Sequence, residues 1–467
     1  MTIFARKTDP EDRAAMPTVE DYLRRDGAAP EAAFDRGGEY LDTTPSPKEI
    51  YFGHERFADE VQYVWKKVWQ FVGRENEIPE VGDFMEYTIA DQTVIVVRES
   101  ADKISAYHNA CLHRGTKLVQ GNGKATDFIC SFHGWRYGLD GKLAYMPCRW
   151  DFPDISDVKL QSVRAETWNG MVFVNFDRNA ENLLSYIGET IVKHFEYWKT
   201  GERWQGARVA RVIRCNWKVL LEAFMEVYHV NRTHPQLSPY VGDISAQYDS
   251  YGNGHGRMID PLGVPSPLLA DSVDEQGIVD SILGDNIADI FEVGSAKMAE
   301  VKEGETARDV IAQFMRNSHN DRYKIDYSKT TISEMIDAYQ YFVFPNVMPW
   351  AGNMFPELYR ILPNGNDPES SVFEVRLLFP VPPGEDRPRD VPLHMLGDDE
   401  PWAAATELGE LGPVIDQDIN NLEKIQLGLH SDGIKEVQFS QVQEGNIRLM
   451  HRRLNELIAA GKQRTGE

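Results

Sequence analysis

Four residues constrain this chain more than any others. Cys111, His113, Cys130 and His133 stand in the pattern C-x-H-x16-C-x-x-H. Each pair joins one thiol to one imidazole. A zinc ribbon ordinarily pairs like with like, C-x-x-C and then H-x-x-H. Mixed pairs suit a [2Fe–2S] cluster in which two thiolates hold one iron and two imidazoles hold the other. Neutral imidazoles raise the reduction potential above that of an all-thiolate cluster. The expected task is to accept one electron and hand it on.

The flanking residues place both pairs in loops between short apolar stretches. Asp140-Gly141 is a hairpin signal, and Trp135 is positioned to shield one flank of a cluster. The text AYHNACLHRGTKL, followed by FICSFHGWRYGLDGKL, resembles the Rieske domain of the aromatic-ring-hydroxylating oxygenases. That domain belongs to the large, alpha subunit of the Rieske non-haem iron oxygenases. The resemblance runs from about Tyr51 to the mid-450s, because the second half of the chain carries a second matching motif.

Residues 216–236 read NWKVLLEAFMEVYHVNRTHPQ. Trp217, Leu220, Leu221, Phe224 and Val227 recur at helical spacing, which predicts a mostly buried helix over 216–231. His229 and His234 lie five residues apart, so at about 100° per residue they do not share a face of one continuous helix. Both reach one metal only if the helix ends between them, and Pro235 disfavours the helical conformation at His234. Two imidazoles and one carboxylate make a facial triad that leaves coordination positions open for dioxygen. Asp416 and Asp418 are the candidate carboxylates. Two residues apart on a helix, they point about 200° apart, so only one should face the metal.

The resemblance selects Asp418, since the family's late motif sets the iron-binding Asp five residues before a Glu, here Glu423. It also implies that Glu226 connects His229 to His133 of the partner subunit. The family usually places Asp there, and members acting on quaternary amines also carry Glu. Ala223 departs from the Asn often found at its position. Phe224, Val227 and Val230 match positions that line the pocket in naphthalene-type relatives, and Val414 is a further candidate. All four are apolar, so a hydrophobic substrate is expected.

A net charge of −24 argues against nucleic acid and anionic membranes as partners. No apolar run approaches the ~18 residues of a membrane span, and the first residues, MTIFARKTDPEDRAAMP, lack the apolar core of a secretory signal. Two of the four cysteines go to the cluster, leaving Cys148 and Cys215 and no disulfide framework. The expected location is the cytoplasm. Arg114, Lys117, Lys124 and Arg136 cluster around the ligand loops and offer a docking patch for an acidic ferredoxin.

The fold class is α+β. An N-terminal arm over 1–47, helical near Val19–Arg25, precedes a cluster domain over 48–165. Strands are expected there at Thr93–Arg98 and Ile104–His108. A catalytic domain follows over 166–460, with strands at Gly170–Asp177, Tyr339–Phe344, Glu357–Leu362 and Val372–Phe379 and a helix over 416–429. The resemblance implies a Rieske [2Fe–2S] β-sandwich joined to a helix-grip domain with a large antiparallel sheet. The Gly- and Pro-rich stretch 250–335 reads as a lid insertion, with His255 a lid residue.

The resemblance implies a terminal oxygenase. A separate flavin reductase would oxidise NAD(P)H, since the chain has no dinucleotide fingerprint, and a ferredoxin could carry the electrons onward. Dioxygen is the co-substrate, a mononuclear Fe(II) activates it, and a hydrophobic, aromatic small molecule is hydroxylated. The alternative within the family is monooxygenation or demethylation of a steroid, terpenoid or amine. Alternatives from other classes are a Rieske electron carrier and a zinc-stabilised binding module. An electron path between chains implies a head-to-tail ring, most simply a homotrimer, with or without a small beta subunit.

Overall fold

The stretch QTVIVVRES forms strand Gln92–Ser100, and its alternation builds the first half of the molecule. Successive strand side chains point to opposite faces. Val94 and Val96 enter the main hydrophobic core with Trp65, Phe71 and Val172. Ile95 and Val97 enter a second core with Tyr107, Phe128, Trp135, Tyr137, Cys111 and Cys130. One strand is therefore a wall of both. The computed structural model describes residues 16–38, 44–155, 157–269, 273–284 and 299–466.

Seven strands form the first sheet, in the spatial order Gln70–Arg74, Met171–Asn175, Ser162–Trp168, Lys103–His108, Gln92–Ser100, Asp83–Ile89 and Gly123–Lys124. A three-stranded sheet of Asp127–Ile129, Arg136–Gly138 and Leu143–Tyr145 carries the second ligand loop. The hairpin Ser162–Trp168/Met171–Asn175 pairs into the first sheet, so that sheet runs past the boundary expected at residue 165. The helix expected in the arm forms as Val19–Asp26, closed at its start by a Thr18–Asp21 capping box. The remainder of the arm expected over 1–47 lies partly outside the described residues.

The second sheet has eight strands: Gln247–Ser250, Gly256–Asp260, Ala338–Phe342, Val347–Ala351, Glu357–Asn364, Asp367–Phe379, Trp204–Ile213 and His394–Met395. Every pairing is antiparallel except the last, which is parallel. Helix Trp217–Ala223 packs on the strands Glu357–Asn364 and Asp367–Phe379, and helix Leu411–Leu429 packs on it in turn. This is the large sheet with overlying helices that the sequence led us to expect.

Two expectations need correction. Residues 250–335 are not one lid. Gly256–Asp260 is an inner strand, wholly buried, between Gln247–Ser250 and Ala338–Phe342. His255 belongs to the core: the Phe344 backbone N–H donates to Nδ1 at 3.0 Å and Nε2 donates to the Tyr186 carbonyl at 2.7 Å. Burial lowers its pKa to about 4. The glycines at 252 and 254 close a β-turn, not a mobile loop. Helices Glu275–Gly284 and Ala307–Tyr323 pack on each other, while 270–272 and 285–298 of the expected lid lie outside the described residues. The helix expected over 216–231 stops at Ala223.

Buried ion pairs tie the halves together. Glu374 of the second sheet accepts from Arg208, Arg360 and Arg376, and Glu77, from the turn after strand Gln70–Arg74, accepts from Arg208 and Arg376. Burial works against the Glu374 charge, but the three guanidinium groups hold its pKa well below the usual range. Lys218, at the start of the site helix, is fully buried against Glu60 at 2.9 Å. Breaking a buried pair from one side costs roughly 3–5 kcal/mol because the other charge stays desolvated. Glu60→Leu is therefore expected to lower denaturant-measured stability by about that amount. Adding Lys218→Met should recover most of the loss.

Candidate metal centres and active-site pocket

The two ligand loops have one geometry. The Cys111 backbone N–H donates to the Thr116 carbonyl and the Gly115 N–H donates back to the Cys111 carbonyl, both at 2.8 Å. Cys130 repeats the pattern with Trp135 at 2.7 Å and Gly134 at 3.0 Å. Gly115 and Gly134 occupy the same place in each loop at φ +78° and +72°, a left-handed conformation that glycine adopts without strain. Each loop thus curls its Cys inward, where both are 2% exposed, while the His two or three residues later stays nearer the surface.

The His113 and His133 rings lie 4.6 Å apart, and His113 stacks on Trp135 at 5.0 Å. His113 Nδ1 is buried without a hydrogen-bond partner. A buried orphan nitrogen is costly unless a ligand takes it, and here a metal would. Burial raises the Cys130 thiol pKa, but backbone N–H groups of Phe132 and His133 outweigh it and lower it. Tyr137 Oη sits 3.4 Å from Cys111 Sγ and accepts the Leu112 N–H at 3.1 Å. The donor set fits a [2Fe–2S] cluster. The expected basic patch is largely neutralised: Lys117 pairs with Glu86, Lys124 with Glu80 and Asp83, and Arg136 with Asp127.

The second site comes from two distant segments. One nitrogen each of His229 and His234 and one oxygen of Asp418 lie within 4.8 Å of one another. Asp418 Oδ1 is 2.9 Å from His234 Nε2 and 3.4 Å from His229 Nε2. The other ring nitrogens are taken. Glu226 accepts from His229 Nδ1 at 2.7 Å and from its backbone N–H at 3.0 Å. Gln417 Oε1 lies 2.6 Å from His234 Nδ1. Both Nε2 atoms are thereby turned toward Asp418, as an ion held by all three would require.

Local chemistry explains the shape. Glu226 bonds three residues ahead to the backbone, a competitor to continued helix. A single helical turn, Val230–Thr233, then separates the two histidines, with His229 and His234 as its flanking residues. Asp416 is turned away and caps a neighbouring turn, accepting the Trp402 and Ala403 N–H groups at 2.8 and 3.0 Å. Burial disfavours a charged His229, but the Glu226 and Asp418 carboxylates outweigh it and push its pKa up to about 9. The same negative field favours a bound cation. Two imidazoles and a carboxylate on one side fit an iron ion with open positions.

His229, His234 and Asp418 all line a cavity of about 150 Å³. A cavity of ~150 Å³ can hold a benzene-sized molecule. Phe224, Val227, Val230 and Val414 all line it, as expected, together with Trp350, Phe355 and Tyr359. Sequence reasoning missed four polar residues at this site. Gln417, behind His234, was signalled only by adjacency to Asp418. Asp260, Gln340 and Glu357, which line the cavity, belong to no motif.

Comparisons with known proteins bear on the family and the fold. The family profile "Ring hydroxylating alpha subunit (catalytic domain)" matches residues 195–460, and "Rieske [2Fe-2S] domain" matches residues 68–158. The biphenyl 2,3-dioxygenase alpha subunit of Rhodococcus jostii is 30% identical over 292 residues, covering 57% of this chain and 60% of that protein. The glycine betaine monooxygenase oxygenase subunit of Pseudomonas aeruginosa is 30% identical over 198 residues, covering 41% and 45%. The match thus spans less than two thirds of either relative's length. Among solved structures, the quaternary ammonium Rieske monooxygenase CntA with L-carnitine aligns at TM-score 0.60 and 17% identity, over 92% of this chain and 98% of that one. Naphthalene 1,2-dioxygenase from Rhodococcus sp. aligns at 0.57 and 20%, over 89% and 94%.

Asp418→Ala is expected to lose the ion held by the two imidazoles while the cluster's reduced EPR signal persists. Asp416→Ala should retain both metals and lower only thermal stability. Metal analysis of the two purified variants checks this.

Proposed function

Since the chain belongs to the ring hydroxylating alpha subunit family, we propose that it is the terminal oxygenase component of a Rieske-type non-haem iron system. Cys111, His113, Cys130 and His133 hold the cluster, and His229, His234 and Asp418 hold the mononuclear iron. The convergence of these last three in the wall of a largely apolar pocket is the observation that carries the reading. When bound, the cluster supplies one-electron transfer and the iron supplies activation of dioxygen.

The chain's own residues position, shield and connect. Glu226 and Gln417 fix the imidazole orientations. Phe224, Val227, Val230 and Val414 hold the substrate and exclude water. Electrons originate in NAD(P)H and arrive from a separate reductase, directly or through a ferredoxin. A small organic molecule in the cavity is oxygenated. The apolar lining supports an aromatic ring, as in the biphenyl enzyme's name. Glu226 and the cavity's acidic residues favour the second reading, oxygenation or demethylation of an amine.

The path between centres runs through Glu226. The cluster end of the molecule exposes apolar side chains: Leu112 by 43%, Ile129 by 53%, Phe132 by 55% and Tyr145 by 53%. Tyr228, 54% exposed, stands two residues from Glu226. Apolar surface of this kind marks an interaction site. The cluster end of one subunit docks at the Glu226 end of the next, and such heterologous contacts close into a ring, most simply a trimer.

The visible spectrum, low-temperature EPR before and after dithionite, and iron content test the assignment. A Rieske-type reduced signal with iron in excess of the cluster is expected. Iron for the cluster alone, even after anaerobic Fe(II) loading, would leave an electron carrier instead. Glu226→Ala should keep both metals yet slow reductase-driven oxygen uptake by about 10–100-fold, the usual effect of losing a residue that orients a ligand.

A further inference from the structure

Two residues in the cavity are not explained by an apolar substrate. Asp260 and Glu357 line it, and both are buried, at 4% and 3% exposure. Asp260 Oδ1 and Glu357 Oε2 have no hydrogen-bond partner. Buried carboxyl groups are normally paired. The ionic neighbours acting on Asp260 are Asp243 and Asp337, both acidic. Glu357 meets only burial and its own backbone N–H. Arg257, on the same strand as Asp260, is engaged with Asp249, and Arg308 with Asp26 and Asp337.

The wall beside them is aromatic and continuous. Phe224 contacts Tyr359 at 5.3 Å, Tyr359 contacts Trp350 at 5.8 Å, and Trp350 contacts Phe355 at 5.0 Å between ring centroids. Ring faces attract cations that have shed their water.

We propose that Asp260, Glu357 and this aromatic wall form a recognition site for the cationic head of the substrate, an N-alkylated ammonium group. The inference rests on the oxygenase reading of the same pocket and names its substrate class. Several aromatic rings beside two carboxyl groups suit an alkylated ammonium, which needs few or no hydrogen bonds. A guanidinium, with five N–H donors, would leave several unmet. Burial pushes the Glu357 pKa up to about 8, and burial together with the Asp243 and Asp337 carboxylates raises that of Asp260. A bound cation reverses that effect and supplies the missing partner. The substrate's charge thereby orients it, with its uncharged portion toward His229, His234 and Asp418.

The test is calorimetric titration of the iron-loaded protein with choline and with its neutral isostere, 3,3-dimethylbutan-1-ol. Choline is expected to bind at least about tenfold more tightly, a difference of roughly 1.4 kcal/mol. The preference should shrink in Glu357→Gln and in Asp260→Asn and vanish in the double variant. Trp350→Leu should weaken choline more than the alcohol. The amide variants remove unpaired buried carboxyls, so their melting temperatures should equal or exceed the parent's, and a lower value would show that the carboxyls are structural. Equal binding of the two probes, binding of neither, or a preference that survives in the double variant overturns the proposal. EPR and iron content are measured on the same samples. Intact metals without a charge preference sink this inference alone, whereas absent metals sink the oxygenase reading whatever choline does.

Discussion

The molecule is organised around one contact, the approach of Asp418 to His234 across 184 residues of sequence. A carboxylate and two imidazoles crowd together only if something holds each from behind. Glu226 and Gln417 do so at the rings. Further back, helix Leu411–Leu429 must keep its register against helix Trp217–Ala223. Gln426 fixes that register, because its side-chain oxygen accepts the Asn216 backbone N–H at 2.9 Å, just where the second helix begins. Helix Trp217–Ala223 lies on the eight-stranded sheet, and helix Leu411–Leu429 lies on that helix. That sheet forms the cavity floor and is locked to the cluster-bearing half by Glu77 and its arginines.

Charge burial takes two opposite forms. Glu374 sits among three arginines and stays ionised in the interior. Asp260 and Glu357 sit as deep with no cation beside them. The first arrangement is complete without a ligand. The second lacks its positive partner, and the difference separates a structural carboxylate from one kept for binding.

Much of this was legible in the sequence, for a physical reason. Metal-ligating side chains are rare residue types that a site must hold at fixed spacing, so Cys111, His113, Cys130, His133 and the His229/His234 pair stood out as candidates. Helix geometry let only one of Asp416 and Asp418 face a metal, the family resemblance chose Asp418, and the structure brings Asp418 to the histidines. Strands such as Gln92–Ser100 followed from β-branched runs. The failures came where local text carried another meaning. Gly252, Asn253 and Gly254 read as loop because a tight hairpin turn uses the same residues, so His255 and an inner strand were assigned to a lid. Apolar spacing continued past Ala223, whereas the helix stops there and the Glu226 side chain bonds forward to the His229 backbone. Asp260 and Glu357 gave no signal at all, since a strand residue's role is set by what the neighbouring strands place around it.

Strand Gln92–Ser100 lines two cores, and this couples parts of the molecule that share no ligand. Val94 and Val96 are one peptide unit from Ile95 and Val97, which stand in the same core as the cluster cysteines. The strand cannot slip by one residue without exchanging its faces, so the main core acts as a rigid backing plate for the thiolates. Packing at Val96, on the side that faces away from the ligand loops, thereby fixes the register of the wall against which the cluster cysteines are packed.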